Sequence, residues 1–143
     1  MNIVEIARGI IDEYGTSDPF ELADRLDIVI VYKPLGNING FYINSDGYKI
    51  ININNNLDHK RKKLTIAHEL GHVILHPDIN TPFMREHTFF SISKFEIEAN
   101  TFAANLLINE SELTELRTVM GYTTYQIAAH YGLPQELIEL RLN

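Results

Sequence analysis

The sequence predicts an α+β fold in a single domain, and three observations predict it. Helical periodicity opens the chain. A β-branched stretch with a hairpin turn occupies residues 28–53, and its three strands with short links read as a small antiparallel sheet. Helical periodicity then returns near residue 58 and persists to the end. The 143 residues contain no internal repeat, low-complexity tract or Ser/Gly linker, so one domain over 1–143 is expected.

The N-terminal helical segment covers residues 2–26. Ile3, Ile6, Ala7, Ile10, Ile11 and Tyr14 recur at helical spacing, and Gly15 ends the run. Asp18-Pro19-Phe20-Glu21 restarts a helix: Asp18 can cap, Pro19 suits the first turn, and Glu21 can bond back. In the β region, Ile28–Tyr32 is bounded by Pro34 and Gly36. Gly40–Ile43 is a second strand, Asn44-Ser45-Asp46-Gly47 a hairpin turn, and Tyr48–Ile53 a third strand. A long helix is expected from Asp58 to Leu75, stopped by Pro77. Residues 77–92 read as an irregular loop. Ser93-Lys94-Phe95-Glu96 reads as a capping box opening a helix to about Ile108, which completes a catalytic stretch over 58–108. Residues 109–143 read as a C-terminal helical segment: a helix opened by Asn109, then two short helices around Gly132-Leu133-Pro134.

Composition limits the function classes. Apolar residues make up 45% and charged residues 22%, as in ordinary globular proteins. There is no long apolar run and no visible secretory signal, so no membrane association and a cytoplasmic location are the expectations. Without cysteine, any metal must be held by His, Asp or Glu. A net charge of −7 argues against direct nucleic-acid binding, which needs Lys and Arg to displace counterions from phosphates. The positive cluster His59–Lys63 reads as a solvated helix face.

One motif carries chemistry. His68-Glu69-Leu70-Gly71-His72 places two histidines four residues apart, on one helix face, where both ring nitrogens can reach one cation. Glu69 is placed to reach a water in the open coordination position. That is the zincin arrangement, with the Glu as catalytic general base. The apolar setting (Leu64, Ile66, Ala67, Leu70, Val73, Ile74, Leu75) makes two unpartnered buried histidines costly, and a metal removes that cost. Gly71 opens space beside the metal or allows close helix packing; the sequence does not choose.

A third metal ligand is then needed, with Asp78, Glu86, Glu96 and Glu98 available. The apolar stripe of the following helix is Phe95, Ala99, Phe102, Ala103 and Leu106. Glu98 falls inside it, three after Phe95 and four before Phe102, whereas Glu96 falls off it and has a capping role. Glu98 is therefore the expected ligand. His76 reads as a helix-end histidine rather than a ligand. His87 could steady a transition-state oxyanion, although an exposed loop histidine is the plainer reading. Asn100 could hold a ligand histidine from behind or be a surface residue.

Ala67-His68-Glu69-Leu70-Gly71-His72-Val73-Ile74-Leu75-His76, followed by Glu98-Ala99-Asn100-Thr101-Phe102-Ala103-Ala104-Asn105-Leu106-Leu107, resembles the ImmA/IrrE metallopeptidases. Gly40-Phe41-Tyr42-Ile43 and Ile51-Asn52 match their preceding hairpin. The resemblance covers roughly residues 3–141. It implies a gluzincin-like fold, one zinc per chain at His68, His72 and Glu98, and Glu69 as base. It also implies a protein substrate: a helix-turn-helix repressor of a phage or mobile element, or of a stress regulon, cut in the cytoplasm. Ile108-Asn109 stands where many relatives have Met-Pro, which touches no expected ligand. The substrate is expected to lie extended along the strand Gly40, Phe41, Tyr42, Ile43 by β-addition.

Two other classes compete. The spacing Ile127-Ala128, Gly132-Leu133-Pro134, Ile138 suits a helix-turn-helix, but Glu136 and Glu139 against Arg141 would meet DNA phosphates with net negative charge. Packing or protein docking is the better reading there. A zinc-binding regulator without peptidase activity is the other alternative.

Overall fold

The computed structural model describes residues 1–82 and 89–143, with side chains described for 1–82 and 94–143. In chain order the elements are α1 (Ile3–Tyr14), α2 (Pro19–Arg25), β1 (Val29–Lys33), β2 (Gly40–Ser45), β3 (Tyr48–Asn54), α3 (His59–Leu75), α4 (Phe89–Leu107), α5 (Glu110–Thr118), α6 (Thr124–Tyr131) and α7 (Gln135–Leu142). The α+β class is as expected. Caps sit where the sequence puts them: the side chains of Asn2, Asp18, Asp58, Asn109 and Thr123 each accept from a backbone N–H in the first turn that follows.

The sheet is mixed, which corrects the expectation of three antiparallel strands. β3 lies in the middle; β2 pairs with it antiparallel and β1 pairs with it parallel. The Asp46–Gly47 turn, both residues at positive φ, closes the β2–β3 hairpin as expected. The link from β1 to β2 is not a second hairpin. β3 is the strand whose last four residues, Ile51–Asn54, are all buried. A strand covered on both faces belongs in the centre, so β1 takes the remaining edge of β3.

A second correction concerns the start of α4. The helix already runs at Phe89, so Ser93 and Glu96 lie inside it and do not form a capping box. Residues 89–93 contain neither proline nor glycine, and a helix nucleated downstream extends through them. Glu96 is thereby released from the capping role.

Two apolar clusters organise the packing. The first joins α1, α2 and the sheet to α3 and α4 through Leu22, Tyr42, Ile51, Ile53, Ile66, Leu70 and Phe102. The second joins the end of α4 to α5–α7 through Ile108, Leu116, Ile127 and Ile138. α4 belongs to both. No helix among the described residues is long and apolar enough to cross a membrane.

Candidate metal centre

Asp58 caps α3, with its Oδ1 accepting from the Arg61 N–H at 2.9 Å. The helix then buries Thr65 through Val73 almost continuously, including Glu69, 1% exposed, and His72, 0% exposed. Helical spacing stacks His68 over His72, with Nε2 atoms 3.2 Å apart and the rings edge to face. Gly71 sits between them in sequence, on the side facing α4. A Cβ there would lie 3.0 Å from both the Cα and the carbonyl O of Ala99. Close helix packing is thus what Gly71 provides, and it draws α4 onto the histidine face.

Glu96 follows from that contact. It stands three residues before Ala99, one turn along the row that touches α3. Its two carboxylate oxygens lie 2.8 Å from His68 Nε2 and 2.9 Å from His72 Nε2. The place expected for Glu98 is therefore occupied by Glu96. Glu98 turns to the next histidine along α3, its Oε1 3.0 Å from His76 Nε2. Glu98 lies on the stripe through Phe95 and Phe102, whereas Glu96 shares a row with Ala99, Asn100 and Ala103.

Partners behind the imidazoles fix their protons. Asn100 Oδ1 lies 2.7 Å from His68 Nδ1, so that nitrogen carries the hydrogen if the amide oxygen accepts, and Nε2 keeps its lone pair. His72 Nδ1 lies 3.1 Å from His76 Nδ1. With the hydrogen of His72 also on Nδ1, two lone pairs and a carboxylate face one point, and all three are acceptors. Such a set needs a cation, either a proton or a metal. The 3.2 Å Nε2–Nε2 separation suits the about 3.3 Å expected between two ligands 2.0–2.1 Å from a tetrahedral zinc. Glu69 belongs to the same group: among the described residues, donor atoms of His68, Glu69 and His72 lie within 4.8 Å of one another. Both carboxylates, Glu69 and Glu96, therefore stand at the paired imidazoles.

Without a metal, the same geometry concentrates a proton. Burial opposes charge on His68, but its hydrogen bond to Glu96, the charges of Glu69 and Glu96, and the bond to Asn100 outweigh burial and raise its pKa. His72 is pushed the other way: burial leads, and the neighbouring His68 and His76 add to it against the pull of Glu96. For Glu96, burial alone would raise the pKa, but bonds to His68 and His72 hold the carboxyl far below its ordinary range.

All of the group but His72 lies in the wall of an open cleft of about 610 Å³. His68, Glu69, Glu96 and Asn100 line one side, residues 37–40 another, and Pro134, Glu136 and Leu137 of the C-terminal helices a third. Gly40 is required where it stands, since a Cβ would come within 2.7 Å of Asn52 O and 2.8 Å of Thr65 Cγ2. Asn54 holds the adjoining loop, its Nδ2 donating to Gly36 O at 3.0 Å and Ile38 O at 3.1 Å. The sequence reading missed Asn54; a polar residue at the end of an apolar strand was the available signal.

Of the expected substrate strand Gly40, Phe41, Tyr42, Ile43, only Gly40 lines the cleft. The outer edge further along is covered. Tyr42 N–H donates to Thr81 Oγ1 at 2.9 Å and Asn44 N–H to Asn80 Oδ1 at 2.8 Å. The Tyr42 hydroxyl donates to Pro77 O at 2.6 Å, anchoring the covering segment. Phe41 turns to the Lys33 ammonium, 5.9 Å from its ring centre, and Ile43 is half-buried. The backbone N–H groups of Tyr42 and Asn44 are thus taken by the side chains of residues 81 and 80, which leaves them closed to an added strand, a correction to the expected use of this strand along its length. His87 lies outside the described residues.

Comparison with known proteins adds an independent line. The family model for the IrrE N-terminal-like domain of peptidases matches residues 23–143. The chain is 42% identical over 133 residues to uncharacterized immunity region protein 2 of Bacillus phage phi105, covering 92% of this chain and 84% of that protein. It is 33% identical over 140 residues to metallopeptidase ImmA of Bacillus subtilis (strain 168), covering 95% of this chain and 81% of that one.

Proposed function

The chain belongs to the IrrE N-terminal-like family of peptidases and is a metallopeptidase, and from that premise we propose a zinc endopeptidase that cuts a helix-turn-helix repressor of a phage or mobile element in the cytoplasm. His68, His72 and Glu96 would hold one zinc, and Glu69 would serve as the base. The observation that carries this reading is the convergence of His68, His72 and Glu96 at an open cleft that His68, Glu69 and Glu96 line. The choice of zinc rests on a ligand set of two imidazoles and one carboxylate without thiolate. The substrate class rests on the family resemblance and on the phage-immunity name of one relative. Direct nucleic-acid contact is not part of the reading, given the net charge of −7.

When bound, the metal supplies Lewis acidity to the scissile carbonyl and lowers the pKa of a water. The protein's residues do the remainder. Residues 37–40 line the same cleft as Glu69, where a peptide can lie. Glu69, buried beside the imidazoles, takes the proton of the attacking water and passes it to the leaving amine. Asn100 holds the His68 ring by its Nδ1–H, so that Nε2 faces the site.

The test is metal content together with cleavage. Wild type should carry about one zinc per chain, Glu96→Ala little or none. Glu69→Gln should keep its zinc and lose about 10²–10⁴-fold in the rate of repressor cleavage. Repressor inactivation that survives Glu69→Gln would rule out proteolysis, and a Glu96→Ala protein with full zinc would rule out the ligand set.

A further inference from the structure

Among the described residues, the Nδ1 of His72 does not meet an amide as that of His68 does. Its Nδ1 faces another imidazole, that of His76, and the far nitrogen of His76 faces a carboxylate, that of Glu98. Both histidines are buried, His72 at 0% and His76 at 5% exposure. The arrangement has a sequence cause. α3 ends at Leu75, and Pro77 disfavours helical backbone at the residue before it. His76 leaves the helix at φ −133°, ψ 55°, while its N–H still donates to His72 O. Its ring is set against the Phe95 ring, edge to face at 4.5 Å between centres.

The contacts link the proton positions along the row. An ionised Glu98 carboxylate can only accept, so His76 Nε2 carries a hydrogen and donates it. In a neutral His76 ring, Nδ1 is then a lone pair. A lone pair at His76 Nδ1 requires a hydrogen on His72 Nδ1, which leaves His72 Nε2 bare toward Glu96 and the cation site. The opposite tautomer of His72 would set a lone pair of His76 against the Glu98 carboxylate.

We propose that Glu98 and His76 form a hydrogen-bonded relay that fixes the tautomer of His72 and so holds its Nε2 lone pair toward the metal. Both are positioning residues, and neither touches substrate or metal. The proposal rests on the ligand set given under Proposed function. It assigns a purpose to two residues that the chemistry of peptide hydrolysis does not itself require. It also explains why the chain carries a second glutamate two residues after Glu96.

Zinc titration of metal-free full-length protein against a competing chelator tests it, for wild type, Glu98→Ala and Glu98→Gln. Glu98→Ala should weaken zinc binding about 10–100-fold, as loss of a group behind a ligand histidine does. Glu98→Gln should stay within a few-fold of wild type, because its amide oxygen still accepts from His76. Nitrogen-15 NMR of the zinc-loaded proteins should show a slowly exchanging His72 Nδ1–H in wild type and Glu98→Gln, and a rapidly exchanging one in Glu98→Ala. Equal zinc affinity in Glu98→Ala and wild type overturns the relay, including when melting of the metal-free variant shows that the pair is merely structural. Loss of zinc in both variants beyond about a thousandfold also overturns it, since Glu98 would then be a ligand itself. A wild type that takes up no zinc would instead overturn the ligand set beneath the proposal.

Discussion

The two packing clusters bury different kinds of side chain. Around α3 and α4 the buried set includes Glu69, His72, His76, Asn52, Asn54, Thr65 and Thr81 alongside the aliphatic core. In α5–α7 the buried side chains are Leu113, Leu116, Ile127, Ala128, Leu137 and Ile138, all apolar. Burying a polar group without a partner costs about 1–3 kcal/mol, so polar residues accumulate inside a protein only where bonding or function holds them. The first region is shaped by a site, and the second by packing. They meet at the cleft, where Leu137 and Glu136 of α7 face His68 and Glu69 of α3.

The contrast can be attacked from either side. Ile138 is fully buried in the helical region, and Ile138→Ala should destabilise the protein by about 2–5 kcal/mol in urea unfolding. Zinc affinity of the folded fraction should stay within about twofold of wild type; a larger drop would mean that the two regions are not separable. Gly71→Ala acts on the other side. The added methyl would press on Ala99 at 3.0 Å and should cost about 1–3 kcal/mol. Here zinc affinity should fall as well, because parting α3 from α4 draws Glu96 away from the imidazoles. Unchanged melting of the metal-free variant would show that the helices have slack.

The smallest effect is a pH dependence confined to the site. In the metal-free protein His68 has a pKa raised above 6.5, so zinc must displace its proton once the pH falls to that raised value. Apparent zinc affinity should then drop about tenfold per pH unit for the one proton displaced. His72, lowered from 6.5, joins only at more acidic pH. His68 and Glu96 contribute to stability of the metal-free protein with opposite pH dependence. The His68 contribution is full below its unfolded pKa of 6.5 and is lost as pH rises through the raised value. The Glu96 contribution is full above 4.5 and is lost as pH falls through its depressed value. The two overlap between pH 4.5 and 6.5. Chelator competition across pH 5.5–8 checks the first claim, and a flat profile would remove it. Ile138→Ala should show the same slope as wild type.

Much of this was legible in the residues. Caps and helix stops sit next to the residues they act on, so the helix at His59–Leu75 and the Asp46–Gly47 turn could be read locally. The motif His68–His72 fixes its own geometry through helical spacing. What could not be read is set by contacts across the chain. The parallel partner of β3 depends on which strand is covered on both faces. The choice between Glu96 and Glu98 depends on which row of α4 meets Gly71, and two glutamates two residues apart point to different rows. A capping-box pattern at Ser93 then misdirected the choice, because local capping preferences yield where a helix extends upstream. The covered edge of β2 comes from residues 80 and 81, nearly forty positions away in sequence.

That covered edge has a consequence for solubility. A protein that takes up extended chains through an exposed strand would also take up its own unfolded neighbours, and sheet edges left bare along their length seed aggregates. Thr81 and Asn80 close the edge from Tyr42 onward with side-chain oxygens instead of a further strand. Stray β-pairing is thereby discouraged along most of β2. Two short polar side chains thus do at a bare edge what an additional strand would do.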